Sequence, residues 1–426
     1  MAFLDHNLPG YPAMTNIHRH KRILVSWYIT PEYIPPFDLS DHQITVGPQG
    51  APDQPKMMFS GWTPLGEYDL LAALESQNVR TKFDAVVVWS DAGGSNRPLN
   101  LSAFDCPKVL CVGDTHHMDR PIRTMIDYAR KAGFDFIVSS HNRHHLHWFT
   151  EAGFANVAWI PGIKVHHFPR PIRGDRESQV CFVGQWESFH PRRQRFLETL
   201  RIHGFPIKAG RLARKQSADL YSRSVASFNA SLNGDLNLRV FEVLSAGGCL
   251  LTDRLSSQSG FDLILREDRD YCAYGSEEEL IDKARFLLRK PAAALDIARA
   301  GHHTYTQTLL PQRQAAVLLD WVFSGRIDSN YAIAPTCEQP RDALSFKLRL
   351  GIYEVLQEAH RRLERPRVFI ASTLPPVIRD DAADLYRLDV TAGDPSALST
   401  NDWDCIVVPK GTMLPRNIEP KVLISV

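Results

Sequence analysis

Arg239 and Glu242 stand three positions apart in Ser227–Asp253, the stretch of this sequence richest in groups able to do chemistry. An apolar run ending at Ala230 gives way to the polar loop Ser231-Leu-Asn-Gly-Asp-Leu-Asn237. A helical stretch follows, then Gly247-Gly248, then the apolar Cys249-Leu-Leu-Thr252. The pattern predicts strand, loop, helix, stop and strand. Leu236, Val240, Val243 and Leu244 recur as the buried stripe of a helix, so Arg239 and Glu242 share a neighbouring face. Asp235 and Asn237 both suit its N-cap. A helix that starts at a strand's carboxyl end turns free N–H groups outward, a favourable setting for phosphate. Arg239 adds a forked cation for a diphosphate, and Glu242 an acceptor for a ribose diol. The competing reading is a plain i,i+3 surface ion pair.

A second group lies upstream. Val109-Leu-Cys-Val-Gly-Asp114-Thr-His116-His117 places a carboxylate and imidazoles just beyond a predicted strand. Such groups can accept a proton from an incoming hydroxyl, or polarise it, near neutral pH. Asp114 and His116 lead this reading and His117 follows closely; the alternative is that Asp114 and Thr115 merely cap a helix at Arg120. His141 and His145, four apart in a histidine-rich run, have the spacing of zinc ligands, yet no H-E-x-x-H glutamate and no cysteine accompany them. Asp268-Arg-Asp270 and Asp402-Trp-Asp404 each precede a predicted strand and read as turn acids. Lys208 and Arg211, with Arg214 and Lys215, go with the predicted strand at 206–209; solvated helix charges are the default reading, with reach of Lys208 or Arg211 to a phosphate as the alternative. No G-x-G-x-x-G fingerprint is present, which disfavours a dinucleotide-dependent dehydrogenase.

The elements that must hold these groups alternate strand and helix. Candidate strands at 22–29, 85–89, 108–113, 134–139 and 157–160 form one series, and those at 180–184, 206–209, 225–230, 249–252 and 271–274 a second. Continuous apolar strands separated by amphipathic helices imply parallel sheets covered on both faces. Pro161–Gly174, rich in proline, glycine and cations, divides the series as a linker. The expectation is two doubly wound α/β domains facing a cleft, over 1–165 and 178–328, and a small α/β extension over 336–426. That extension holds a helix over 342–363 and a Trp403-Asp-Cys-Ile-Val-Val run that hints at the start of a further domain.

Forty-nine Lys and Arg balance 48 Asp and Glu, which excludes nucleic-acid binding by bulk charge. No apolar run reaches the ~18 residues of a transmembrane helix, and the N-terminus has no secretion-signal pattern. Seven cysteines, scattered and mostly within apolar runs, fit a reducing, cytoplasmic setting.

Asn237-x-Arg239-x-x-Glu242-x-Leu-x-Ala-Gly-Gly248, followed by Leu-Leu-Thr-Asp253, resembles the donor-binding core of CgeB-like glycosyltransferases, members of the GT-B superfamily. Asp270-Tyr-Cys-Ala-Tyr-Gly-Ser-Glu-Glu-Glu-Leu280, Gly301-His-His-Thr-Tyr305 with Arg313, and Val180-Cys-Phe-Val-Gly184 with Arg192 and Arg193 continue the resemblance in order. It covers about 178–325 well and 20–165 loosely. It implies a GT-B fold and transfer of a sugar from a nucleoside-diphosphate sugar, a co-substrate, to a hydroxyl acceptor on a protein, polysaccharide or small molecule. No further cofactor or metal is expected. By position, Glu242 would bind the ribose and Arg239 the diphosphate, with Gly184 letting the backbone approach; Arg193, Lys208, Arg211, Ser231 and Asn237 complete the candidate donor-binding residues, and Asp114, His116 and His117 are the candidate catalytic ones. Many GT-B enzymes carry another glutamate eight positions before the ribose-binding one; here that position is Gly234, beside Asp235, so retention or inversion stays open. The alternatives are a nucleotide-sugar epimerase of the same fold and a non-catalytic binding or maturation protein.

Overall fold

The computed structural model describes residues 17–27, 38–48, 59–79, 82–165, 167–186, 190–333, 343–363, 366–376, 378–379, 382, 389–399 and 402–425. Its strands and helices fall into three α/β units.

The first unit holds β1 (Ile23–Ser26), β2 (Ile44–Pro48), β3 (Gly61–Thr63), β4 (Gly66–Asp69), β5 (Ala85–Ser90), β6 (Asn96–Leu99), β7 (Lys108–Val112), β8 (Phe136–Ser139) and β9 (Val157–Trp159). Seven of them make a parallel sheet in the order β3-β2-β1-β5-β7-β8-β9, and β4 pairs with β6 apart. The all-buried Ala85-Val-Val-Val-Trp-Ser90 shows why: a strand covered on both faces has no polar side to spare. Its helices are α1 (Leu70–Glu75), α2 (Pro121–Ala132) and α3 (His147–Glu151). α2 begins at its proline behind Arg120 in the left-handed region, with no side-chain cap. Asp114 and Thr115 therefore do not cap it.

The second unit holds β10 (Glu177–Val183), β11 (Ile207–Gly210), β12 (Ser224–Phe228), β13 (Leu250–Asp253) and β14 (Cys272–Tyr274), parallel in the order β11-β10-β12-β13-β14. Around them lie α4 (Pro191–Ile202), α5 (Arg214–Arg223), α6 (Leu238–Ser245), α7 (Phe261–Ile264), α8 (Glu277–Arg289) and α9 (Pro291–Thr304), and α10 (Pro311–Ser324) follows in sequence. The α6 stripe is as the spacing predicts, with Leu236, Val240, Val243 and Leu244 at most 1% exposed. Each such side chain contributes about 1.5–3 kcal/mol of burial.

α10 departs from the domain boundary expected near 328. Its Ala315, Leu318, Leu319 and Val322 pack with Ile23, Val25, Val87 and Trp89 of the first sheet. The chain thus returns from the second unit to cover the first, and Trp159 N–H donates to Tyr331 C=O beside it. The apolar face of α10 carries no mark of which sheet it will cover.

The third unit comprises α11 (Ala343–Leu363) and a parallel sheet of β15 (Arg367–Ala371), β16 (Asp389–Gly393), β17 (Cys405–Val408) and β18 (Val422–Ser425), in the order β16-β15-β17-β18. α11 lies against α2 and α4 and bridges the units. Among the described residues, no helix is long and apolar enough to cross a membrane.

Candidate active site

In the second sheet the chain steps from β10 to β11 on one side, then crosses to β12 on the other. Ligand crevices of open sheets form at such a switch, above the carboxyl ends of the two diverging strands. The loop after β10 begins with Gly184 and the loop after β12 runs from Asn229 to Asn237, which brings Gly184, Ser231 and Asn237 to the switch.

Gly184 has φ +139, and a Cβ at this position would collide with Nη2 of Arg239. Its hydrogen atom admits the guanidinium to the strand end. Arg239 Nε donates to Val183 C=O (2.7 Å) and Nη1 to Asn229 Oδ1 (2.7 Å). The guanidinium also lies 4.4 Å from the centre of the Phe182 ring. Two donors of the expected diphosphate fork are therefore committed to the protein, which fixes the orientation of Nη2. Among the described residues no ion pair joins Arg239 to Glu242, so the plain surface-pair reading fails. Glu242 instead borders a small pocket with Phe168, Arg214, Ser217 and Tyr221. Burial raises its pKa against the opposing pull of Arg214 and Arg239.

Asn237 occupies the N-cap position of α6, but its side chain caps nothing and neither its Oδ1 nor its Nδ2 has a partner among the described residues. The first turn of α6 thus keeps donors for an anion. Asp235, the other cap candidate, closes the preceding loop: its Oδ1 accepts from Leu232 N–H (2.7 Å) and Asn233 N–H (3.3 Å). Ser231 is tied to Asp253 through both its N–H (2.9 Å) and its hydroxyl (2.5 Å), and Arg192 Nη1 completes the group at 3.0 Å from Asp253 Oδ2.

Arg193, expected to bind donor, is a clamp. It is 8% exposed. Its Nε and Nη2 donate to Ala230 C=O (3.1 and 2.9 Å) and its Nη1 to Gln185 C=O (3.0 Å), joining the loops that flank the crevice. Burial, reinforced by Arg239, pushes its pKa down to about 9. Arg193→Met should lower unfolding free energy by about 1–3 kcal/mol, because two buried carbonyls lose their donors; urea denaturation reads this as a lower midpoint with an unchanged slope. Lys208 is exposed on the edge strand β11 and Arg211 is exposed just past its end, so the structure sets both on the outer rim.

The upstream group faces this crevice from the first unit. His141 Nε2 lies 2.9 Å from Asp114 Oδ1, and His117 Nε2 lies 3.8 Å from Asp114 Oδ2. Burial alone would raise the pKa of Asp114, but the hydrogen bond from His141 and the nearby His116 and Lys164 outweigh it, holding the carboxyl well below its usual range. Burial, with His116 beside it, lowers His117 to about 4. Thr115 Oγ1 meets His145 Nδ1 at 2.8 Å, so His145 supports this loop from behind. His116 reaches across to the second unit: its Nε2 is 3.8 Å from Asp235 Oδ2, and Leu236 N–H donates to His141 C=O (2.9 Å). Burial would raise Asp235, yet His116, the Leu232 N–H and Arg193 bring it down to about 2.

Ligand atoms of Asp114, His116 and His117 lie within 4.8 Å of one another, a spacing that a divalent ion could bridge. Of the two D-x-D pairs, Asp270 closes a local turn, accepting from Arg266 N–H and from Thr304 Oγ1, whereas Asp404 accepts from Arg367 N–H and Lys421 at the starts of neighbouring strands. His167 meets Ser245 Oγ at 3.0 Å in the linker; His166 lies outside the described residues. Sequence reasoning missed Asn229, just past the end of β12 at the switch, and the role of Asp253, the last residue of the neighbouring β13. It had no signal for the contact between His116 and Asp235.

Residues 182–320 match the model of a family described as glycosyl transferase-like. Sucrose-phosphate synthase from Thermosynechococcus elongatus superposes with a TM-score of 0.50 at 10% identity, over 72% of this chain and 99% of that one. The chain has the GT-B fold. An α,α-trehalose-phosphate synthase (UDP-forming) from Burkholderia vietnamiensis gives 0.48 at 11% identity, covering 71% of this chain and 100% of its own. Anabaena HepE in complex with UDP and glucose gives 0.47 at 10% identity, over 71% and 100%. No curated protein matches the sequence. In this GT-B chain the family match spans β10's end to α10 and so includes the whole switch-point crevice.

Proposed function

We propose that the protein is a glycosyltransferase of the CgeB-like kind, taking a nucleoside-diphosphate sugar at the second unit and a hydroxyl acceptor at the first. The carrying observation is the uncapped start of α6 beside Gly184 and the oriented Arg239, at the switch of a sheet that matches a glycosyl transferase-like model. Negative charge grows on the departing diphosphate in the transition state. The α6 N–H groups and Arg239 Nη2, held in place beforehand, stabilise it at little reorganisation cost. Glu242 receives the ribose diol. Asp114, His116 and His117 orient and polarise the incoming hydroxyl. UDP and glucose in the HepE structure support a uridine nucleotide as the first donor to test. Cys106, Cys111, Cys181, Cys249, Cys272 and Cys405 are free thiols, which supports a reducing, cytoplasmic setting.

Calorimetric titration of UDP, GDP, dTDP and CDP into the wild type and Glu242→Ala tests this. One nucleotide should bind, and the variant should lose about tenfold in affinity as the buried diol loses its acceptor. Failure of all four to bind, or equal affinity in the variant, would reject the reading.

A further inference from the structure

Nothing in the transferase reading employs the third unit, yet α11 contacts both loops that carry the candidate site. Gln357 Nε2 donates to Thr115 C=O (2.8 Å), the residue before His116. His360 Nδ1 donates to Asn233 Oδ1 (2.8 Å), and Asn233 Nδ2 in turn donates to His116 C=O (2.5 Å) and reaches Gln357 C=O at 3.4 Å. One short network thus ties the loop after β7, the loop after β12 and a helix of the third unit. Thr115, Asn233, Gln357 and His360 are at most 9% exposed.

Burial of so many amide and imidazole groups is tolerated because they satisfy one another, and such a network has only one low-energy arrangement. α11 itself is anchored on the first unit. Arg349 pairs with Glu151 at 2.6 Å, both nearly inaccessible, and Glu354 accepts from Arg123 N–H (3.0 Å). Asn233 belongs to the donor loop, so the bond from His360 is where this anchored helix grips the second unit.

We propose that α11 is a positioning element of the site: Gln357 fixes the loop bearing His116, His360 fixes the loop bearing Asp235, and the pair sets the spacing of the two halves of the cleft. What this positioning serves rests on the transferase reading above; the positioning itself does not. The residues 343–363 are then part of the working core.

Hydrogen exchange on the full chain, read at 113–117 and 231–237, tests the proposal, with UDP titration alongside. In His360→Ala, Asn233 keeps an orphaned buried oxygen, and exchange in both segments should rise by about tenfold or more. UDP affinity should fall severalfold. His360→Asn, whose Nδ2 stands near the position of Nδ1, should restore both to near wild-type values. Gln357→Met, similar in volume and without a donor, should speed exchange in 113–117, and it carries the test if His360→Ala does not fold. Unchanged exchange in both segments, or an asparagine variant no better than the alanine one, would overturn the proposal. Absence of UDP binding by the wild type would instead count against a uridine donor and leave the exchange comparison to judge α11.

Discussion

Gly184→Ala should leave the protein folded and remove most of its nucleotide affinity. The backbone there sits at φ +139, a region costly to any residue with a Cβ, and the new methyl group would occupy the place of Arg239 Nη2. The far end of an arginine can swing away, so the clash resolves by expelling the guanidinium. That breaks its bonds to Val183 C=O and Asn229 Oδ1 and its contact with Phe182. Hydrogen bonds to charged groups are worth about 1.5–3 kcal/mol, and the strained backbone adds about 1–3 kcal/mol. A drop of a few kcal/mol in unfolding free energy should accompany a tenfold to hundredfold weaker nucleotide affinity, measured by urea denaturation and calorimetry on one sample. Equal affinity in the variant would show that Arg239 does not face the phosphates.

Stability should collapse in mild acid. Burial holds His144 and His147 neutral, with pKa values down to about 3, and lowers His167 to about 4. In the unfolded chain all three take up protons as pH falls through about 6.5. Between there and pH 4 the unfolded state therefore binds more protons than the native one, and stability falls with pH. It is fully present above 6.5. His144 and His147 together give a slope of about 2–3 kcal/mol per pH unit. Asp114 and Asp235, whose native pKa values are depressed, weaken the fold only below about pH 4, so the two effects separate. Denaturation at pH 7.5, 6.5, 5.5 and 4.5 should show a plateau and then a steep fall. A flat profile down to pH 5 would mean that these rings are solvated.

The parallel sheets and α6 were legible because apolar strands and a 3.6-residue stripe are local patterns. The placing of Arg239 and Glu242 on that helix was legible for the same reason. For Arg193 the sequence gives a charge but not its direction, and here the side chain turns inward to Ala230 and Gln185. α10 falls in the range expected for the second domain and packs on the first sheet, a long-range contact that no local pattern reports. The Asn233–His360 and His116–Asp235 contacts join residues more than a hundred positions apart, and no spacing rule reaches that far.

A structure of the protein with UDP-glucose bound tests the central claim most directly. The pyrophosphate should sit over the first turn of α6 within hydrogen-bonding distance of Arg239 Nη2, with the ribose hydroxyls on Glu242. A nucleotide lodged elsewhere, with that crevice unchanged, would contradict the account.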